Sequence, residues 1–531
     1  MDDTQKKTDI DTESRDKKSG SISKKPQENL FQRAYLNSIT SFVDFIARSL
    51  TSFFVTPFLT RGLGAVLFGA WQVLQQFSKY VGWGDISATQ VLKWAIARDR
   101  KILPENELRQ YVTATFLVLT IVMPITLLAG VIIIWYAPVI TGVDAVYADT
   151  VRIAAGLAVL SLMIAKMFDI LAAVLKGMNL DFKRIGIFAS LFMAAGGAKI
   201  LVVIKGYGLI GLAAVQVVMA IITGGVLYWI VRANVPWFGL EKVGLKKAKT
   251  FIQTSGWYML WTATSHLLNA SDRMLLGFFA GPVLVTQYVI TRYMAGTIEG
   301  LITNLLMGVK PGVSTLYGQG KYEKFLKFRS HIMLTTWILA GAVGTTVLAL
   351  NQSFTLRWIR EDHFAGQMVN LLVVIAIMQQ LLISNDSSFI TMTLDLKQKV
   401  LIGMMAAITS IGVSALLIGK LGIAGLCIGM ITGRSIMSLT FPFIILKKTG
   451  HRVLKININA RVAAVSGAML AAGYYIGQMV LIDKWLPLIA MAAAIFTTSG
   501  LMIFTLGLSH TQRREILAYA SKIKVFGKWT P

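Results

Sequence analysis

The stretch "LLNASDRMLLGFFAGP", Leu267 to Pro282, places two opposite charges, Asp272 and Arg273, inside an apolar run. With its flanks this run is long enough to cross a bilayer, since about 20 apolar residues suffice. An unpaired charge at the centre of a membrane helix costs roughly 2.5–3.5 kcal/mol. The pair therefore predicts a membrane helix whose polar face turns away from lipid, towards the interior of a helix bundle.

The composition extends this prediction to almost the whole chain. Mean hydropathy is +0.63 and 55% of the 531 residues are hydrophobic, which excludes an ordinary soluble enzyme. Backbone groups in lipid must find their hydrogen bonds within the segment, so the apolar runs are helices. We predict about fourteen, with ends good to about 2–4 residues: 34–58, 64–91, 111–136, 151–176, 185–204, 207–231, 255–280, 284–308, 331–350, 367–391, 400–418, 422–446, 461–481 and 486–507.

The net charge of +26 could suggest a nucleic-acid partner, but its distribution indicates topology instead. If the N-terminus is cytoplasmic, 38 of the 52 Lys and Arg residues fall on cytoplasmic segments and 8 on the opposite side. That asymmetry follows the positive-inside rule. We expect a multi-pass protein of the inner (cytoplasmic) cell membrane, with no nucleic-acid partner and no cleavable signal. Residues 1–33 are then a disordered cytoplasmic tail and 508–531 a cytoplasmic C-terminal tail.

The chain contains a weak internal duplication. "LGAVLFGAWQV" (63–73) matches "AGPVLVTQYVI" (280–290) at an offset of 217, and Asp169 and Asp386 have the same offset. "YGLIGLA" (207–213) matches "LGIAGLC" (421–427) at an offset of 214. Because each unit has an even number of spans, the repeats are parallel. The predicted fold is an all-α integral membrane protein: two six-helix lobes, 34–231 and 255–446, joined by a cytoplasmic linker, 232–254, around a central cavity, plus two extra helices in 461–507.

Charged residues inside the predicted spans give the candidate site. They must face inward, pair or touch water. In the first span Asp44, Arg48 and Thr51 share one helical face, and in the seventh His266, Asn269 and Arg273 do so. Adjacent residues point about 100° apart, so Asp272 and Arg273 are poor partners and should turn to different flanks of one polar face.

Arginines at similar depth favour an anionic ligand, since guanidinium matches phosphate or carboxylate with two parallel hydrogen bonds. The candidate substrate-binding residues, with Arg48 and Arg273 foremost, are Arg48, Arg273, Arg292, Asn269, Lys79 and Arg434. The candidate ion- or proton-coupling acids are Asp44, Asp169, Asp272, Glu299 and Asp386. The alternative is structural: pairs such as Asp44–Arg48 and Lys166–Asp169 lock helices together.

Other site chemistry is not indicated. Cys427 is the single cysteine, so neither a disulfide framework nor a Cys-x-x-Cys metal site exists. The chain has no phosphate-binding G-x-x-x-x-G-K-[ST] loop, so we expect no ATP hydrolysis. No cofactor and no metal are predicted.

Several short motifs resemble those of the polysaccharide flippases, the O-antigen and teichoic-acid type exporters of the multidrug/oligosaccharidyl-lipid/polysaccharide exporter superfamily. The motifs are "TPFLTRGLGAVLFGAWQV" (56–73), "AAVLKGMNLDFKR" (172–184) and "YGLIGLAAVQV" (207–217). The resemblance implies two lobes that open alternately and move a lipid-linked oligosaccharide or polysaccharide precursor, as in lipopolysaccharide assembly, from the inner to the outer leaflet.

The same resemblance implies a basic cavity for a diphosphate or acidic sugars, which maps onto Arg48, Arg273 and Arg292. The implied partners are a lipid-linked glycan, membrane lipids, H⁺ or Na⁺ as coupling ion, and glycan-assembly proteins. The chain would be a transporter and not an enzyme.

Two other functions stay open. A cation-coupled multidrug antiporter of the same fold would need a cavity of acids and aromatic residues, and the arginines argue against it. A membrane glycan polymerase or ligase would need a large outer domain, whereas the longest predicted outer loops are 137–150 and 351–366. In the second of these, His363 is the outer group suited to acid–base work.

Overall fold

The structure is a computed structural model that describes residues 27–516 apart from 82, 101, 308–309, 360–362, 394–395 and 451–459. Within these ranges it describes the side chains other than those at 27–41, 78–87, 185, 245–259, 305–312 and 315. This part of the chain is helical, with no β-strand. The predicted all-α integral membrane fold is confirmed.

Fourteen α-helices follow one another along the described chain. They are α1 Gln27–Val81, α2 Trp83–Asp99, α3 Glu105–Thr141, α4 Ala148–Gly177, α5 Ile185–Ile204, α6 Gly208–Asn234, α7 Leu245–Ala280, α8 Pro282–Met307, α9 Lys310–Gly318, α10 Tyr322–Ile359, α11 Gln367–Met392, α12 Lys397–Thr449, α13 Ala460–Met479 and α14 Trp485–Met502. The first begins inside the predicted N-terminal tail, and α2 and α10 extend beyond the predicted spans.

The predicted apolar runs coincide with these helices. Nine helices of the described chain are long and apolar enough to cross a membrane. Two of them, α1 and α12, each contain two predicted runs that meet at a glycine with non-helical dihedral angles. The runs 255–280, 284–308 and 461–481 correspond to α7, α8 and α13.

The backbone repeats at the positions where the sequence duplicates. Gly64 has φ 73° and ψ 168°, and its counterpart Gly281 has φ 82° and ψ 169°. Gly208 and its counterpart Gly422 have φ values of 55° and 54°. Side chains other than glycine rarely adopt these angles. The same joint therefore occurs at the same place in each unit, which accounts for the repeated spacing of these glycines in the sequence.

The helices pack as two lobes. In the first, α4 packs on α6 and α1 on α5; in the second, α7 and α11 pack on α12. Between the lobes, α1 contacts α7 and α8, and α2 and α3 contact α7. The appended helices α13 and α14 pack on α10 of the second lobe. The polar helices α7 and α8 are thereby placed against α1.

At one end of the bundle the lobe backbones touch. We call it the closed end; it carries Gly64, Gly142, Gly281 and Ile359. A Cβ added at Gly69 would overlap the carbonyl of Pro282, and one at Gly142 would overlap the carbonyl of Gly277. Glycine is needed here because two backbones approach each other, and the lobes fit closely as a result.

Candidate functional site: a polar cavity between the lobes

A polar cavity of about 420 Å³ lies between the lobes. This volume is within the range of about 300–1,000 Å³ of small-molecule sites. Both halves of α1 contribute to its wall, together with α7, α8 and the end of α10. Its lining residues are Ser52, Thr56, Gln72, Arg273, Tyr288, Val289, Ile290, Arg292, Tyr293, Gly296, Thr297, Glu299 and Trp358.

Asp272 and Arg273 turn to different flanks of α7, as helical geometry predicts. The Oδ2 atom of Asp272 accepts hydrogen bonds from the Tyr288 hydroxyl at 2.9 Å and from Nη1 of Arg292 at 3.1 Å. Arg273 instead reaches across to the first lobe, where its Nη1 donates to Oε1 of Gln72 at 2.8 Å. The two charges of the opening stretch thus serve different partners in different lobes.

The two arginines of the cavity differ in how far their charge is compensated. Arg292 forms ion pairs with Asp272 at 3.1 Å and with Glu299 at 3.4 Å. Arg273 has no carboxylate within ion-pair distance among the described side chains, and its buried Nε has no hydrogen-bond partner. Arg273 is therefore the cationic group of the cavity whose remaining N–H groups are available to an anion.

Arg434 and Asn269 lie behind the cavity wall. Arg434 is 2% exposed and donates at 3.3 Å to both the Leu268 carbonyl and Oδ1 of Asn269, and at 3.4 Å to the Ala376 carbonyl. These contacts tie α12 to α7 and α11. Neither side chain is part of the cavity lining, so a direct role for them in binding stays a prediction.

The polar stripe of the first span faces α5 and the turn before it. Asp44 pairs with Arg184 at 3.0 Å, and Arg184 also binds Asp181 at 2.8 Å. The Arg48 guanidinium lies over the ring of Phe192, 4.3 Å from its centroid. Asp44 therefore pairs with Arg184 and not with Arg48, the neighbour on its own helix. The residues that α1 presents to the cavity are Ser52, Thr56 and Gln72, and the side chain of Lys79 lies outside the described residues.

Two of the candidate coupling acids are held in pairs within a lobe. Asp169 lies 3.6 Å from Lys166, which is the structural alternative raised above. Asp386 is buried and accepts two hydrogen bonds from Arg329, at 2.6 and 2.8 Å. The sequence interpretation assigned Arg329 to a cytoplasmic loop, but it belongs to α10. Coupling by these acids stays a prediction, and no metal-binding group of three or more His, Cys, Asp or Glu occurs in the described chain.

An aromatic wall separates the polar cavity from an apolar pocket. Trp358 stacks on Tyr293 at 4.2 Å and on Phe53 at 5.6 Å between ring centroids. Behind this wall is a pocket of about 440 Å³ without polar lining, formed by Phe53, Met294, Leu350, Phe354, Trp485, Leu488, Ile489 and Ala492. Sequence reasoning missed these aromatic residues because charge, and not aromaticity, guided the search.

Two side chains, Trp358 and Arg61, donate hydrogen bonds between the lobes beside this wall. Nε1 of Trp358 donates to the Phe53 carbonyl at 2.8 Å. That carbonyl lacks its helical donor because Pro57, four residues later, has no N–H. Arg61 donates at 3.0 and 2.8 Å to the carbonyl of Ile359, the last residue of α10. We call these bonds the clasp; each acceptor is a carbonyl that its own helix leaves unsatisfied. Pro57, which lies within the first predicted span, was the sequence feature that could have indicated the free carbonyl of Phe53.

Comparisons with solved structures identify the fold. A lipid II flippase, MurJ, in an inward closed conformation is similar with a TM-score of 0.65 and 13% identity, over 88% of this chain and 98% of that one. A eukaryotic MATE transporter, AtDTX14, has a TM-score of 0.58 and 15% identity, over 79% and 98%. A multidrug resistance MATE family transporter of the MOP superfamily, inward-facing, has a TM-score of 0.55 and 12% identity, over 76% and 96%.

No family model matches the chain, and the search of curated proteins gives no match either. At identities of 12–15% the structural likeness establishes a shared fold and leaves the cargo open. Function therefore has to be argued from the cavity.

Proposed function

We propose that this protein is a flippase that moves a lipid-linked oligosaccharide precursor across the membrane by alternating access. The observation that carries the proposal is Arg273, a cavity-lining arginine that pairs with no carboxylate among the described side chains. Guanidinium binds phosphate oxygens with parallel hydrogen bonds, so Arg273 is suited to a diphosphate or an acidic sugar.

The two adjoining pockets suit the two ends of such a substrate. The head group would occupy the polar cavity, where the hydroxyl groups of Ser52, Thr56 and Tyr293 belong to the lining. The isoprenoid chain would enter the apolar pocket beside Trp485 and α14, or remain in lipid. The cavity volume of about 420 Å³ favours a short saccharide over a long polymer in a single step.

The positive-inside distribution of Lys and Arg supports an orientation in the cell membrane with both termini in the cytoplasm. The closed end is then the outer end, so release to the outer leaflet requires the clasp to break. Transport of this kind needs no covalent step, and we propose no enzymatic activity. Energy would come from a gradient of H⁺ or Na⁺ or from removal of product outside by glycan-assembly proteins.

The proposal is tested with purified protein in liposomes that contain a fluorescent polyprenyl-diphosphate disaccharide. Transfer is measured as the fraction of probe that a membrane-impermeant reagent can reach. Arg273→Ala should lower the transfer rate at least tenfold. Arg152→Ala is the matched control, since Arg152 is a surface residue paired with Asp149 at 3.2 Å.

Arg292→Ala is a poor test, because it would leave Asp272 buried without its ionic partner and could unfold the protein. Arg48 and Arg273 are better replaced one at a time, since Arg48→Ala reports on the polar stripe of the first lobe and Arg273→Ala on the cavity. Transfer by Arg273→Ala at the rate of the unaltered protein, with equal insertion, would reject the proposal.

A second candidate function is a cation-coupled multidrug antiporter. The observation that favours it is that Glu299, Tyr293 and Trp358 also line the cavity, and these residue types bind organic cations. The same liposomes with an imposed proton or Na⁺ gradient and a fluorescent cationic dye separate the two. Dye uptake that Glu299→Gln abolishes and Arg273→Ala preserves would support the antiporter.

A further inference from the structure

Gln72 is the polar group through which the first lobe reaches the cationic centre of the cavity. It lies on the second half of α1, and its Oε1 accepts the hydrogen bond from Nη1 of Arg273 at 2.8 Å. Both side chains line the cavity. The anion-binding arginine of the second lobe is therefore oriented by a residue of the first.

The chemical type of this partner decides the charge of the site. An amide oxygen orients a guanidinium without cancelling its charge, whereas a carboxylate would form an ion pair with it. In the second lobe the guanidinium groups of Arg273, Arg292 and Arg434 stand against two carboxylates, Asp272 and Glu299. A neutral residue at position 72 preserves this excess of positive charge.

Gln72 and Arg273 both have N–H donors that are not used in the bond between them. Among the described residues the Arg273 guanidinium donates only to Gln72, so its other terminal N–H groups have no acceptor there, and the Gln72 amide carries two N–H groups next to the oxygen that Arg273 occupies. An anion in the cavity can accept from both residues at once. It would then be held by α1 and by α7, that is, by both lobes.

We propose that Gln72 is a specificity-determining residue, which orients Arg273 without compensating its charge and supplies the first lobe's donor to an anionic head group. This inference rests on the proposed function, and it adds that one bound anion bridges the lobes. Glutamate at position 72 would pair with Arg273 and cancel this excess of positive charge, so the cavity would lose its preference for anions.

The experiment measures binding of two probes of equal chain length, farnesyl diphosphate and a farnesyl trimethylammonium salt, to protein in nanodiscs. Gln72→Glu should weaken diphosphate binding at least tenfold and leave ammonium binding unchanged or stronger. Gln72→Met, which is similar in length, should weaken diphosphate binding less, because Arg273 keeps its charge. Gln216→Glu is the control, since Gln216 donates to Gln75 and is not part of the cavity lining.

The outcomes separate this inference from the proposed function. If Arg273→Ala removes diphosphate binding but Gln72→Glu does not, the role of Gln72 is overturned and the anion site stands. An equal loss of both probes in Gln72→Glu indicates a structural role and also overturns the inference. If the unaltered protein binds no diphosphate, or Arg273→Ala binds it normally, the proposed function itself fails.

Discussion

Replacement of Trp358 by phenylalanine tests whether the clasp holds the lobes together. The substitution keeps an aromatic ring next to Tyr293 and Phe53 but removes the Nε1 donor that serves the Phe53 carbonyl. Because Pro57 cannot supply a helical donor, that carbonyl is left unsatisfied whenever the closed end is shut. The change should therefore destabilise the closed arrangement selectively.

The free-energy cost to the closed state follows from the Phe53 carbonyl, which loses its hydrogen-bond donor. Leaving a buried hydrogen-bonding group without its partner costs about 1–3 kcal/mol. A free-energy difference of that size changes the ratio of closed to open molecules by roughly 5- to 150-fold. Pro57→Ala provides the internal test, since alanine restores the N–H that reaches Phe53 within the helix. In the Pro57→Ala background, Trp358→Phe should have a clearly smaller effect.

The assay is a distance measurement across the closed end by pulsed electron paramagnetic resonance. The buried Cys427 is first replaced by serine. Spin labels are then attached at Val146→Cys in the first lobe and at Met368→Cys in the second, two positions that are 86% and 57% exposed. Trp358→Phe should increase the long-distance population, and Trp229→Phe, on an exposed surface position, should not. Identical distance distributions in Trp358→Phe and the unaltered protein, or an equal effect with and without Pro57, would refute the clasp.

Three further substitutions follow from the structure. Gly69→Val should also open the closed end, because a side chain there collides with Pro282, whereas Gly197→Ala, which meets no neighbouring atom, should leave the same label distances unchanged. Asp386→Asn should lower the free energy of unfolding by about 3–5 kcal/mol by leaving Arg329 buried without its ion pair; thermal unfolding in detergent measures this, and Arg329→Met with Asp386→Leu should recover much of the loss. Hydrogen bonds from His331 and Lys327 lower the pKa of Glu515, so their stabilisation of the segment 510–516 is complete above the ordinary value of 4.5 and fades as pH falls through the lowered pKa. The protection factor of that segment against hydrogen exchange should fall in acid, and Glu515→Gln should show the lower protection already at neutral pH.

The apolar runs and the duplication predict the fold because both follow from chemistry that is local in sequence. Hydrophobic length specifies a membrane helix, and the repeated glycines mark joints that need positive φ at Gly64, Gly208, Gly281 and Gly422. The opposite directions of Asp272 and Arg273 follow in the same way from the helical repeat. The apolar runs, the repeat and the directions of these two side chains are thus predictable from the sequence, whereas the φ values of the glycines are seen only in the structure.

Which residues form the site was harder to predict from the sequence, because their partners come from distant parts of the chain. Asp44 has a neighbour on its own helix, Arg48, but it pairs with Arg184 of the segment before α5. Arg434 and Arg273 look alike in sequence, yet one ties helices together and the other lines a cavity. Helical periodicity gives the face of a residue but not the neighbour that the face meets.

The distribution of ionic contacts indicates how this fold could move. Every ion pair between described side chains joins residues of one lobe, or of the second lobe and the segment that follows α14; examples are Arg184–Asp44 and Arg329–Asp386. The described hydrogen bonds between lobes instead end on neutral acceptors, as for Arg273 on Gln72 and Thr286 on the Ala65 carbonyl. A buried charge that loses its ionic partner costs about 3–5 kcal/mol. A hydrogen bond contributes about 0.5–1.5 kcal/mol, or about 1.5–3 kcal/mol where the donor is charged, as for Arg273 and Arg61. Strong pairs within lobes and weaker bonds between them favour rigid bodies that separate at their common surface, and an anion on Arg273 would add the one charged contact at that surface.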